Sequence, residues 1–170
     1  MITKNTSLDQ VKRLAPPCKC KECDHGCRYG AGCFTDDQLP AAAQFLNVSV
    51  EELKEKHLET ITKFNTTLWR PKHKKNKYGY GPCVFFKDNC KIHDVKPLEC
   101  QTAMGCGEHG EELSIWFTLN HFLNENDPES VREYASYLKS GGKTIPGAKL
   151  EELIPDKEKL KKILDYEIIR

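Results

Sequence analysis

The sequence predicts a mainly α-helical fold with a small β-hairpin, and three observations carry that prediction. Apolar residues recur at helical spacing, above all Leu113, Ile115, Trp116, Leu119, Phe122 and Leu123. Helix-starting sequences, Ser7-Leu8-Asp9-Gln10, Ser49-Val50-Glu51-Glu52 and Asp127-Pro128, stand before several such stretches. A short apolar pair, Cys83-Val-Phe-Phe and Cys90-Lys-Ile-His, flanks the turn residues Lys87-Asp88-Asn89 and reads as the hairpin, with Cys83 and Cys90 at its base.

The first capping box opens a helix over Leu8, Val11 and Leu14, which Pro16 and Pro17 stop. The segment from Cys18 to Cys33 follows, with Gly26, Gly30 and Gly32 giving its backbone freedom to turn N–H groups toward sulfur. A helix is expected from Asp37, with Pro40 in its first turn, carrying Ala43, Phe45 and Leu46 as far as Asn47. Ser49 starts the next, through Leu53, His57, Leu58 and Ile61. Residues 70–80 are basic and rich in breakers and read as loop.

Beyond the hairpin, Pro97 leads to Cys100. The helix over Leu113–Leu123 and one through Val131, Tyr134 and Leu138, closed by Gly141 and Gly142, come next. A last helix after Pro155-Asp156 places Leu160, Ile163 and Leu164 on one face. Met104 and Trp116 read as core. The expected organisation is a compact cysteine-ligated region over 1–110, with a C-terminal helical segment, 111–170, packing on it.

Composition narrows the classes. The chain has 170 residues, 38% of them hydrophobic and 30% charged, with a formal net charge of +1. Near-neutrality provides no global field for nucleic acid or an anionic membrane, and neither partner is expected. No run of 18 apolar residues occurs, and the start, Met1-Ile-Thr-Lys, has no signal-peptide character. A cytoplasmic location is expected, where thiols stay reduced.

The nine cysteines form two knots: Cys18, Cys20, Cys23, Cys27 and Cys33, then Cys83, Cys90, Cys100 and Cys106. An odd count in a reducing compartment argues against a disulfide framework. Thiolates gathered at such spacings suit zinc or an iron–sulfur cluster. Cys20-x2-Cys23 lets two sulfurs reach one metal from a single turn, and Cys27 follows at x3. That order is neither the C-x2-C-x2-C-x3-C-P run of two-cluster ferredoxins nor the C-x3-C-x2-C of radical chemistry on S-adenosylmethionine.

Cys33, followed by Phe34, reads as packing. His93 reads as a histidine packing on the hairpin, ahead of a ligand or a donor to a sulfur, and His25 as a donor near the metal or an exposed group. Glu108 and His109 receive no role. Lys72, Lys74, Lys75 and Lys77 with Tyr78 and Tyr80 have the composition for phosphate contact with stacking, but read first as a solvated loop, or one that docks an acidic partner protein. There is no Gly-rich phosphate loop, no G-x-S-x-G and no paired-carboxylate arrangement.

Cys20-x2-Cys23-x3-Cys27, Cys83-Val-Phe-Phe, Cys90-Lys-Ile-His and Lys96-Pro97-Leu98-Glu99-Cys100 resemble the YkgJ-type cysteine-cluster family, described as zinc- or iron-chelating. The resemblance covers about residues 18–106. The chain departs from the family in separating Cys27 from Cys33 and in having Lys96 where arginine is commoner. One branch, the flagellin lysine methylases, is associated with an iron–sulfur cluster.

The resemblance implies metal ligation by Cys20, Cys23, Cys27, Cys83, Cys90 and Cys100, tying residues 18–27 to 83–100. With Cys18 and Cys106 added, eight thiolates suffice for two four-coordinate sites. A [4Fe–4S] cluster on four cysteines, two zinc ions bridged by six, and two separate sites all remain open at this point. The function expected first is electron transfer, or an accessory role in a larger enzyme with a protein partner. A zinc-stabilised interaction module without redox activity stands second, and methyl transfer by analogy with the methylase branch third.

Overall fold

The computed structural model describes residues 1–18, 20–102 and 107–165. Met104 and Cys106 therefore lie outside the described residues. About half of the chain is helical, and its one described sheet is a two-stranded antiparallel hairpin.

Helix α1 (Leu8–Leu14) starts at the expected capping box: Ser7 Oγ accepts from the Gln10 N–H while the Ser7 N–H donates to Gln10 Oε1. Helix α2 (Lys21–Tyr29) runs through the first cysteine knot, where the glycines had suggested turns. A 3-10 turn over Asp36–Gln38 leads into α3 (Leu39–Phe45), and Asn47 ends that segment at φ 55°. Ser49 caps α4 (Val50–His57) by accepting from the Glu52 N–H.

There the structure departs from the expected helix. At Leu58 the chain turns to strand β1 (Leu58–Lys63), which pairs with β2 (Thr66–Pro71) in the register Lys63↔Thr66. Leu53, His57 and Ile61 do fall at helical spacing, but Thr60-Ile61-Thr62 and Thr66-Thr67-Leu68-Trp69 are β-branched and aromatic runs that prefer a pleated surface. Phe64 and Asn65 form the connecting two-residue turn with φ of 47° and 55°, the left-handed pair of a type I′ hairpin. A phenylalanine there is strained by about 1–2 kcal/mol. Packing holds it: the Phe64 ring meets Tyr134 and Tyr137 edge-on at 5.3 and 5.6 Å. Asn65 is clamped by Glu133 through its N–H (2.8 Å) and by Asp127 through Nδ2 (2.7 Å).

The hairpin expected around residues 87–89 is instead a tight turn, closed by a single bridge between Phe86 and Cys90. Helices α5 (Leu98–Thr102), α6 (Gly110–His121), α7 (Pro128–Lys139), α8 (Leu150–Leu153) and α9 (Lys157–Leu164) complete the chain, with Asp127 and Asp156 capping α7 and α9 as their sequences foretell.

Two main cores result. One joins both ends of the chain, packing Ile2 and Val11 against Leu113, Trp116, Phe117, Phe122 and Tyr134. Trp116 Nε1 donates to the Thr6 carbonyl and the Lys4 N–H to the Pro146 carbonyl, fixing the N-terminal segment there. The other gathers Phe34, Leu39, Leu53, Leu58, Phe85, Phe86 and Ile92 beneath the cysteines. Successive residues Leu68 and Trp69 of β2 face different cores, as strand alternation requires.

Tyr134, fully buried in the first core, donates its hydroxyl to the Ala148 carbonyl at 2.8 Å and pairs with Thr144 Oγ1 at 2.7 Å. Tyr134→Phe strands both partners and is expected to cost about 1–3 kcal/mol. In a thermal melt that appears as a Tm lowered by roughly 2–4 °C per kcal/mol; an unchanged Tm contradicts it.

Candidate metal centre

Pro16 and Pro17 deliver the chain to Cys18, and Cys20 occupies the N-cap of α2, placing Cys23 in its first turn. The Cys20 and Cys23 sulfurs are 3.8 Å apart, and those of Cys18, Cys20 and Cys23 all lie within 4.8 Å of one another. Tetrahedral zinc with bonds of about 2.3 Å separates its sulfurs by about 3.8 Å, so this triad suits a single ion. His93 Nε2 donates to the Cys18 carbonyl at 2.9 Å and orients this corner. His93 is thus bonded to the backbone of the first knot, beyond the packing on the hairpin that its sequence position suggests.

Cys27, a turn further along α2, belongs to a second group. The Cys83 N–H donates to the Cys27 carbonyl at 2.9 Å, stitching the two knots together through the backbone. The Cys27 thiol donates a hydrogen bond to the Cys90 sulfur, and Cys83 and Cys100 are close enough to act on both electrostatically. Cys18, Cys23, Cys27, Cys83, Cys90 and Cys100 line one cavity of about 490 Å³. The triad is the only described set of three metal-binding side chains that converges within 4.8 Å, so the quartet Cys27, Cys83, Cys90 and Cys100 is spread more widely than a single ion requires.

Backbone amides turn toward this quartet. Cys83 receives those of Phe85 and Phe86, Cys90 that of Ile92, and Cys100 that of Gly32 at 3.1 Å. Such donors favour thiolate, the form that binds metal. Gly32 permits the approach: a Cβ there would lie 2.7 Å from the Cys100 nitrogen and 3.0 Å from its sulfur. The donor set and its amides fit a cysteine-ligated metal.

A signal the sequence reading passed over is Lys96. It is only 9% exposed, lines the cavity and pairs with no carboxylate among the described residues. After the Cys27 hydrogen bond, the Ile92 amide and His93, the Lys96 charge adds to the lowering of the Cys90 pKa. A buried cation needs a counter-charge, and the facing thiolates provide one. Cys33, 1% exposed in the core with its N–H on Glu99 Oε2 at 2.7 Å, packs as expected and is absent from the cavity lining. His25 sits against Tyr29, and His109 beside Glu112.

Without metal, burial pushes Cys83 up to about 11 and Cys100 up to about 12 from the ordinary 9.0. The shared hydrogen bond raises Cys27 far higher and pulls Cys90 down to about 6. At pH 8 Cys83, Cys100 and Cys27 are thus held toward the protonated thiol and Cys90 toward thiolate. Metal loading there is expected to release protons and to tighten as pH rises from 7 to 9, because fewer protons then compete. Proton release into a weakly buffered solution during metal titration checks this; release independent of loading contradicts it.

Fold and site together define a mainly helical protein whose clustered cysteines are compatible with metal binding. Among the described residues no helix is long and apolar enough to cross a membrane. Comparison with protein-family models, with curated proteins and with solved structures finds no significant match to the chain.

Proposed function

We propose that the protein is an iron–sulfur protein, with a [4Fe–4S] cluster on Cys27, Cys83, Cys90 and Cys100, acting as an electron-transfer or accessory subunit of a larger enzyme. The observation that carries this reading is the quartet's spread: four cysteines from three segments face one cavity of about 490 Å³, yet no three of their sulfurs converge within 4.8 Å. A polynuclear centre suits such a spread better than a lone zinc ion. The resemblance of Cys90-Lys-Ile-His and Lys96-Pro97-Leu98-Glu99-Cys100 to the YkgJ-type family, with its iron–sulfur branch, supports the same reading. When bound, such a cluster supplies one-electron redox chemistry. The chain's own part is to hold four thiolates, direct amides at their sulfurs and place the Lys96 cation beside them.

A second reading has its own support: zinc on Cys18, Cys20 and Cys23, whose sulfurs already stand at single-ion spacing. It makes the protein a zinc-stabilised interaction module if the quartet holds no cluster. Metal and sulfide analysis of protein purified without air, with electron paramagnetic resonance after reduction, decides between them. About four iron and four sulfide per chain are expected. Zinc alone, with no sulfide, overturns the iron–sulfur reading.

A further inference from the structure

Residues 71–84 are an ordered tongue rather than a loose loop. N–H groups of Val84, Lys74 and Asn76 donate to the carbonyls of Lys72, Pro82 and Tyr80 at 2.8–2.9 Å, a narrow antiparallel ladder continuing from β2. Its tip is closed by Gly79, at φ +83°, whose N–H donates to the Asn76 carbonyl, and by Asn76 Oδ1, which accepts from the Tyr78 N–H. Gly81 lets the two limbs approach, since a Cβ there would stand 2.1 Å from the Lys74 carbonyl oxygen. At the base Lys72 Nζ donates to the Glu55 carbonyl, at 2.6 Å, and the Lys56 carbonyl, so the last turn of α4 anchors the tongue.

The tongue presents one kind of surface. Between residues 64 and 87 there is no carboxylate, while Arg70, Lys72, Lys74, Lys75, Lys77 and Lys87 fall within it. Every residue from 74 to 80 is exposed, and Lys74, Lys75 and Lys77 pair with no carboxylate of the described residues. Tyr78, 67% exposed, stacks on Tyr80 at 6.1 Å and 20°, with Lys77 Nζ 4.9 Å from the Tyr78 ring centre. Exposed, stiffened tyrosines beside unpaired cations are the composition of an interface anchor. The tongue's two ends, Pro71 and Cys83, line the cysteine cavity.

We infer that this tongue docks an acidic protein surface and brings it to the edge of the metal centre. The inference rests on the iron–sulfur reading only for what the docked partner exchanges. Charge complementarity selects the partner: in a chain of net charge +1 this projection carries cations with no carboxylate among them, and being preorganised it loses little conformational freedom on docking. Single-stranded nucleic acid is disfavoured because Tyr78 and Tyr80 stack on each other, occupying a face that bases would use, and because the basic tip is short for a groove that tracks a backbone.

The test uses metal-loaded full-length protein and two fluorescein-labelled probes of equal charge, a polyglutamate peptide and an oligodeoxythymidylate, followed by anisotropy at low and moderate salt. Wild type is expected to bind polyglutamate more tightly than oligodeoxythymidylate, and more weakly as salt rises. The triple change Lys74→Gln, Lys75→Gln, Lys77→Gln is expected to weaken polyglutamate binding about tenfold, the scale of three exposed ion pairs. The control Lys157→Gln, Lys159→Gln, Lys162→Gln, on exposed positions of α9, is expected to change it by less than about twofold. Equal losses in the two triples, tighter binding of oligodeoxythymidylate, or no polyglutamate binding by wild type each overturns the inference. Metal and sulfide measured on the same samples keep the two readings apart: zinc without sulfide fails the cluster, whereas failed docking on cluster-loaded protein fails only the tongue.

Discussion

Cys100→Ser is expected to empty the quartet and unfold much of the protein at temperatures the wild type withstands. Cys100 sits in α5, between Leu98 and Thr102, both buried, and its sulfur receives the Gly32 N–H at 3.1 Å. Serine keeps the helix but replaces a thiolate by a hydroxyl that remains protonated, leaving three ligands. Metal binding in small cysteine sites is coupled to folding by roughly 10–16 kcal/mol, which matches a typical total stability of about 5–15 kcal/mol. Losing a ligand therefore removes a large share of what holds α2, the 83–90 turn and α5 together. Cys33→Ser is the contrast. Its sulfur lies in the core, so the change is expected to cost about 1–3 kcal/mol for burying a hydroxyl while metal stoichiometry stays at the wild-type value. Metal analysis beside thermal melts checks the pair. A Cys33→Ser protein without metal, with a fully loaded Cys100→Ser protein, would falsify the ligand assignment.

Gly32→Ala is expected to damage the centre without touching a ligand. The added Cβ would stand 2.7 Å from the Cys100 nitrogen and 2.8 Å from the Glu99 Cβ, atoms fixed in a helix that cannot rotate aside. The segment is tied there on both sides, the Cys33 N–H to Glu99 Oε2 at 2.7 Å and the Glu99 N–H to the Cys33 carbonyl at 3.3 Å. Either α5 shifts, moving Cys100, or the loop lifts and withdraws its amide from the sulfur. Overpacking of this kind costs about 1–3 kcal/mol, lowering Tm by roughly 2–4 °C per kcal/mol, and weaker metal retention against a chelator accompanies it. Gly30→Ala, with open space around its Cβ and an extended backbone, is expected to stay within about 0.5 kcal/mol of wild type. Equal behaviour of the two variants would show that the close approach at Gly32 does not matter.

Helices whose start and stop signals are local were legible in the sequence. Ser7 with Gln10, Asp127-Pro128 and Pro155-Asp156 mark α1, α7 and α9 because capping is decided within four residues. A hairpin is decided by two strands together, and so β1 is not legible alone: its Leu58 and Ile61 continue the helical spacing of α4 until β2 folds back to pair with them. Helix α2 was hidden because glycine and cysteine are poor helix signals, and its stability comes from what its cysteine face meets. Within the site, the cysteines announce themselves by type and spacing. Their division into a tight triad and a spread quartet does not, because Cys27 shares α2 with Cys23 of the triad while its carbonyl is tied by the Cys83 N–H to the second knot. Lys96 was visible only as a letter of a motif; its burial beside the thiolates is a tertiary fact.

The backbone stitch between Cys83 and Cys27 bears on how the centre is born. Cys27 and Cys100 stand 73 positions apart in the chain. At about 5–20 residues per second, a ribosome takes roughly 4–15 s to pass from one to the other. During that interval the first knot has left the tunnel with Cys18, Cys20 and Cys23 able to gather on their own turn, while Cys27 waits for ligands not yet made. Any ion on the triad could be captured early, whereas a centre on the quartet could close only late. Helix α1 waits longer still, because its apolar face is covered by residues of α6. Slow translation between the knots thus lengthens the time the first-knot thiols spend before the second knot arrives to face them.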